Sequence, residues 1–176
     1  MTAAAQPGIH VTSLRDVREV AATLGAYDLL TLLAPAWLHD ETLRALAPQR
    51  RLQLAFHDIV EITPDLIAPD RPMVASILDF ARAADPARPL LVHCWAGISR
   101  SSAAAYIIAC DANAGCEDTI ADELRRRAPF ATPNRLMVSL ADDLLGRHGR
   151  MVDAIARIGR GADAFEGTPY HLPLRF

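Results

Sequence analysis

A cysteine, a glycine and an arginine stand at fixed intervals in the nine residues His93-Cys94-Trp95-Ala96-Gly97-Ile98-Ser99-Arg100-Ser101. That combination suits a phosphate oxyanion held beside a sulfur nucleophile. With each residue type near a frequency of about 5%, five specified positions in nine recur by chance about once in several million starting points, so the run is far more specific than an isolated glycine motif. Arg100 offers a planar fork that can keep two phosphate oxygens as charge shifts between them, a task for which lysine is a poor replacement. Gly97 lets the backbone turn tightly and approach the phosphate. Ser101 can donate its hydroxyl to the sulfur and ease departure of a thiolate. His93 would hold the loop by hydrogen bonds and tune the thiol rather than act as a base.

The flanking residues predict the elements that position this run. Pro89-Leu90-Leu91-Val92 is a short apolar stretch bounded by proline, as expected of a strand buried on both faces. Ser101 to Cys110 is rich in good helix formers, with Gly115 as a terminator. The run is therefore a loop that feeds a helix N-terminus. Backbone N–H groups of Trp95, Ala96, Gly97, Ile98, Ser99 and Arg100, with the positive end of the helix dipole, would converge on an anion. The same field favours a thiolate at Cys94, the reactive form of the side chain.

The pattern His-Cys-x-x-Gly-x-x-Arg-Ser resembles the signature loop of the cysteine-dependent protein tyrosine phosphatases, in particular their compact, bacterial-type dual-specificity-like branch. Arg127-Ala128-Pro129 through Thr132-Pro133-Asn134 is similar to an arginine-proline and proline-asparagine pattern of that branch. The likeness extends from Leu52 to Leu145, densest over Leu91 to Ser101. It implies hydrolysis of phosphate monoesters, foremost phosphotyrosine in proteins, through a phosphocysteine intermediate, with no metal and no cofactor. It also implies that Asn134 braces the active loop, although that residue could equally sit in the first turn of a helix after Thr132-Pro133.

A leaving phenolate or alkoxide must be protonated as the P–O bond breaks, so a general acid is required. Three aspartates upstream compete. Asp70 precedes Arg71-Pro72-Met73 and apolar positions 73, 74, 77, 78 and 81 at helical spacing, which fits a helix N-cap. Asp65, after Thr63-Pro64, fits a turn. Asp58 follows the alternating Leu52, Leu54 and Phe56 of a strand, where a loop can carry it over a pocket, and is the preferred acid.

The order of elements predicts an α/β fold. Strands are expected at Gly8 to Thr12, Asp28 to Leu33, around Leu52 and at Leu90, alternating with helices at Leu14 to Leu24, Leu38 to Leu46 and 70–84. This implies a mostly parallel sheet of four to five strands flanked by helices, with the active loop at the carboxyl ends of the strands. Apolar residues at 120, 121 and 124, then at 136, 137, 140, 141, 144 and 145, make the second half helical. Residues 1–158 read as a single domain. Residues 159–176 show no period and read as a loose tail.

A chain of 176 residues is long enough for one substantial core. Its net charge of -3 provides no basic field for nucleic acid or an anionic membrane. All 18 basic residues are arginine, so the loop lacks the lysines that phosphoinositide-hydrolysing relatives use to hold extra phosphates. Residues 1–8 have neither a basic leader nor an apolar core, and no apolar run reaches the ~20 residues of a membrane span. Three cysteines provide no disulfide framework, and a thiol nucleophile fits a reducing cytoplasm. The expected partner is a phosphorylated protein or a small phosphoester, and oligomeric state is not legible.

Other features have plainer readings. Arg125-Arg126-Arg127 could recruit an acidic substrate, but they close a helix that opens with Glu117-Asp118, which dipole complementarity explains. Cys110 and Cys116 could trap an oxidised Cys94, yet small apolar cysteines on helices are usually packing residues. Trp95 and His57 could line the pocket mouth or be solvated loop residues. His39, His148 and His171 have no metal-site spacing. Two other classes share some of these features: a phosphate-binding module without turnover, and a rhodanese-like sulfurtransferase, which Ser101 and the proline-asparagine pattern disfavour.

Overall fold

The computed structural model describes residues 7–176; residues 1–6, where no secretion signal was read, lie outside the described residues. Among the described residues five strands form one sheet: β1 (Ile9–Thr12), β2 (Asp28–Leu33), β3 (Arg50–Ala55), β4 (Leu90–His93) and β5 (Tyr170–Leu172), in the order β3-β2-β4-β1-β5. The first four run parallel and β5 is antiparallel to β1. The helices are α1 (Val17–Leu24), α2 (Glu41–Arg44), α3 (Arg71–Arg82), α4 (Arg100–Ala112), α5 (Glu117–Arg127), α6 (Arg135–Leu145) and α7 (Arg150–Ile158). The expected α/β architecture is the observed one.

All six residues of β2 are buried, because the strand is covered on both faces. Alternation sends Leu29 and Leu33 to the layer of α1 and α2, with Val17, Ala21, Leu24 and Leu43. Leu30 and Leu32 go to the larger layer, which holds Val74 and Ile77 of α3 and most of α4. Helix α4 lies at the centre of that layer and is buried from Arg100 to Cys110. Its rigidity fixes where Arg100 and Ser101 can point.

Local signals account for several helix boundaries. The Asp70 carboxylate accepts the Met73 amide at 2.8 Å and opens α3, as the sequence predicts. Asp65 lies in a turn with φ of 63°. The expected helix at 38–46 shrinks to α2, because a 3₁₀ turn at Pro35–Trp37 comes first and Asp40 caps the chain anew at Thr42. Helix α1 begins only at Val17, since Ser13 Oγ holds the Asp16 amide in a preceding turn.

The segment after residue 158 differs from the expected loose tail. Tyr170–Leu172 pairs with β1, and Leu172 is fully buried. Its lack of apolar period reflects how it is held, mostly by backbone hydrogen bonds rather than by a buried stripe. Among the described residues no helix is long and apolar enough to cross a membrane.

Candidate active site

Strand β4 ends at His93 and α4 starts at Arg100, so residues 94–99 form the loop at the carboxyl edge of a central strand. Four carbonyls of this loop are tied outward. Trp95 O accepts the Leu14 amide (3.0 Å), Ala96 O the Gly167 amide (2.8 Å), Ile98 O the Thr132 amide (3.1 Å) and Ser99 O the Asn134 amide (3.4 Å). In a planar trans peptide the N–H points opposite to the carbonyl. The amides of Ala96, Gly97, Ser99 and Arg100 are therefore turned into the concavity, and the Gly97 N–H points at Cys94 Sγ, 3.2 Å away. A loop fastened from its outside in this way has the arrangement of amides that can cradle an anion.

The sulfur lies in this cradle. Cys94 is only 2% exposed, and Ser101 Oγ lies 3.2 Å from its Sγ, where it can donate to a thiolate. Gly97 has φ of 72°, and a Cβ there would come within 2.9 Å of Ser13 N and Thr12 C. The glycine is required by the backbone at the end of β1, which only the fold reveals.

Arg100 is buried, with Nη1 donating to Phe56 O at 2.7 Å and the guanidinium lying 5.8 Å from the Phe56 ring. Its Nε is a buried donor without a partner. An unsatisfied charged donor in a buried site is costly, and a phosphate oxygen would relieve it.

His93 is fully buried. Its Nδ1 faces Cys94 O at 3.3 Å and its Nε2 faces Thr31 Oγ1 at 2.9 Å. A carbonyl can only accept, so the neutral ring carries its proton on Nδ1 and takes the Thr31 hydroxyl proton at Nε2. Thr31 and His93 are paired residues of β2 and β4, so strand register brings them together. Burial lowers the His93 pKa to about 4. The ring braces the loop through the Cys94 carbonyl rather than by touching the sulfur.

Asp58 comes from the loop after β3. Its Oδ1 accepts Ser99 Oγ at 2.7 Å and Asn134 Nδ2 at 2.8 Å. Asn134 Oδ1 caps α6 through the Met137 amide at 3.0 Å, while its Nδ2 reaches Asp58 and, at 3.1 Å, Ile59 O, both on the loop after β3; only its backbone amide meets residues 94–99, at Ser99 O. Asp58, Cys94, Trp95, Ala96, Ile98, Ser99 and Arg100 line one cleft of about 420 Å³, joined by Ala34 and Trp37.

Trp95 stands 6.2 Å from Trp37 and 5.6 Å, edge to face, from Phe165. Sequence patterning missed both partners, since an isolated exposed aromatic carries no period. His57 does not line this cleft; its Nδ1 accepts the Ile67 amide at 2.9 Å and closes the base of the loop that carries Asp58. Arg125 donates to Pro129 O, Ala131 O and Gly159 O, so at least this member of the arginine run is structural. Cys110 is buried with its pKa pushed up to about 12 by desolvation, as suits a packing thiol, and Cys116 is the N-cap residue of α5. Among the described residues no group of three or more His, Cys, Asp or Glu is placed to hold a metal.

No family model matches the sequence, and no curated protein sequence matches it. Solved structures do. A crystal structure of Tk-PTP in the active form superposes with a TM-score of 0.54 at 19% identity, over 81% of this chain and 94% of that one. P. aeruginosa TpbA gives 0.47 at 17% identity, over 85% and 87%. A variant of P. aeruginosa TpbA in complex with pTyr gives 0.42 at 19% identity, over 90% and 82%. The Tk-PTP likeness establishes a shared fold.

Proposed function

We propose that this protein is a cysteine-dependent phosphatase of the compact dual-specificity-like type, acting on phosphate monoesters and foremost on phosphotyrosine in proteins. The observation that carries the reading is that Cys94, Arg100 and Asp58, from three separate elements, face one cleft whose cradle of amides leaves the Arg100 Nε unpaired. The fold shared with Tk-PTP supports it. Three free cysteines, with no disulfide among the described residues, fit a reducing, cytoplasmic setting.

In the first step the Cys94 thiolate attacks phosphorus in line, forming the S–P bond as the P–O bond to the leaving group breaks. Arg100 and the amides of residues 95–100 hold the nonbridging oxygens, which carry the charge of the transition state. Asp58 gives its proton to the departing oxygen. In the second step the Asp58 carboxylate takes a proton from water, the water oxygen attacks phosphorus, and the sulfur leaves as a thiolate stabilised by Ser101 Oγ and the Gly97 amide. Inorganic phosphate is released and the enzyme is restored. The indole rings of Trp37 and Trp95 at the mouth favour an aryl leaving group.

The test is phosphate release from a small aryl phosphate by the full chain beside Cys94→Ser, followed by phosphotyrosine and phosphothreonine peptides. Turnover by the wild type, with loss on the order of a thousandfold in Cys94→Ser, is expected, since a serine hydroxyl at this site stays protonated. An inert wild type that still binds phosphate would replace the enzyme by a binding module.

A further inference from the structure

Beside the catalytic cleft lies a second cavity of about 460 Å³ that the reaction does not use. Its floor is Ile98, Phe130 and Thr132, and its outer lip is Ala162, Ala164 and Phe165. Ile98 lines both spaces, and the Trp95–Phe165 edge-to-face pair stands between their mouths. We propose that this cavity is a peptide subsite, which takes an apolar side chain next to the phosphorylated residue of an extended protein substrate; the proposal rests on the phosphatase reading above.

Three observations support that occupant. First, the lip is preformed. Residues 159–169 form a strap pinned by the Ala162 amide to Pro129 O (2.9 Å), the Gly161 amide to Thr132 Oγ1 (3.2 Å), the Gly167 amide to Ala96 O (2.8 Å) and an Arg15–Glu166 ion pair (2.7 Å). Gly167 runs so close beneath Phe130 and Gly97 O that a Cβ would collide with the Phe130 ring. Second, Ile98 is a wall of both the cavity and the cleft, so a chain whose phosphorylated residue enters the cleft can reach the cavity across Ile98. Third, the charges at the rim are already paired, Arg160 to Asp163 at 2.7 Å, and the walls are otherwise apolar or hydroxyl-bearing. Phe165 remains 83% exposed on a fixed strap, a position that gains by being covered when a substrate side chain packs on it. The cavity lies within the ~300–1,000 Å³ range of ligand pockets.

The experiment compares kcat/KM for a small aryl phosphate with that for phosphotyrosine peptides carrying Leu, Ala or Asp at each of the two positions on either side, using the full chain, Ala164→Trp to fill the cavity and Phe165→Ala to remove its wall. At one flanking position Leu should exceed Asp by about tenfold. Ala164→Trp and Phe165→Ala should erase that preference through KM, while aryl phosphate hydrolysis stays within about twofold of wild type. Phe165→Tyr should restore the preference. Turnover that ignores flanking residues, or variants that slow aryl phosphate and peptide alike, would overturn the subsite and leave the phosphatase reading standing. A wild type inert on every phosphoester removes both.

Discussion

Ser99 Oγ donates a 2.7 Å hydrogen bond to Oδ1 of Asp58, so the loop that would hold the phosphate also holds the carboxylate proposed to protonate the leaving group. Asn134 Nδ2 donates to the same oxygen at 2.8 Å. Both donors converge on Oδ1, which leaves Oδ2 as the oxygen able to carry the transferable proton. The two side chains come from the phosphate loop and from the cap of α6, and neither follows Asp58 closely in sequence. The proposed acid is therefore positioned by rigid parts of the fold although it is borne on a loop.

Removing the Ser99 hydroxyl should cost turnover according to how much the leaving group needs a proton. For Ser99→Ala we expect kcat on a phosphotyrosine peptide to fall about tenfold, since a hydrogen bond to a charged group is worth about 1.5–3 kcal/mol and Asn134 remains. An activated aryl phosphate, whose leaving oxygen needs little protonation, should be slowed less than about threefold. Asp58→Asn should show the same ordering more strongly. Equal losses on both substrates would mean that Ser99 serves the phosphate and not the acid.

Arg100 cannot be exchanged for lysine without loss. Its Nη1 is committed to Phe56 O, and the remaining guanidinium edge, including the unpaired Nε, is what a phosphate would meet. A lysine ammonium cannot serve the carbonyl and two phosphate oxygens in one plane. The expected fall in kcat/KM of Arg100→Lys on an aryl phosphate is on the order of a hundredfold, with phosphate and vanadate inhibition weakened in parallel. Inhibition constants equal to those of the wild type would remove Arg100 from the anion site.

Glycine at 97 should be the least replaceable residue of the loop. Gly97 and Gly25 have nearly the same φ, 72° and 70°, but a Cβ at Gly25 meets nothing within 4 Å, whereas one at Gly97 meets the backbone of Thr12 and Ser13. Gly25→Ala, at φ 70° and ψ −119°, should cost only the backbone strain, about 1–3 kcal/mol in denaturant unfolding. Gly97→Ala should cost about 2 kcal/mol more, because neighbouring backbone cannot swing aside as a side chain can, and should also lose phosphate release. Equal stabilities of the two variants would mean that the loop adapts.

What the chain discloses before folding is what sits close together along it. Cys94, Gly97, Arg100 and Ser101 lie within one loop and the start of α4, so their spacing alone suggests the chemistry proposed for them, and Asp70 is recognisable as a cap because its partner Met73 is three residues away. The Asp58–Ser99 contact, the closeness of Gly97 to Thr12, and the Gly167–Ala96 bond span long stretches of chain and have no local signature. The strap is invisible for a second reason: its anchors are mostly backbone amides, which every residue carries. Helix α7, by contrast, has apolar residues at 151, 154, 155 and 158, a spacing that sequence patterning could have found.

Burial of His93 gives the protein a pH dependence with a definite sign. The folded state keeps the ring neutral, with its pKa lowered from 6.5 to about 4, whereas an unfolded chain protonates it below about 6.5. Between those values the unfolded state binds more protons, so stability is fully present above pH 6.5 and is lost as pH falls toward 4. From pH 7.5 to pH 5 the loss from this one ring is about 2 kcal/mol. His171, half-buried beside β1, has its pKa lowered by burial too and adds a change of the same sign. Comparing wild type with His93→Gln in denaturant unfolding at pH 7.5 and pH 5 isolates the contribution: the variant starts less stable, having lost the ring that links Thr31 to the Cys94 carbonyl, but its stability should fall by about 2 kcal/mol less across that interval. Parallel losses in the two proteins would show that the ring takes up its proton in the folded state, and that the brace beneath the catalytic loop tolerates a charge.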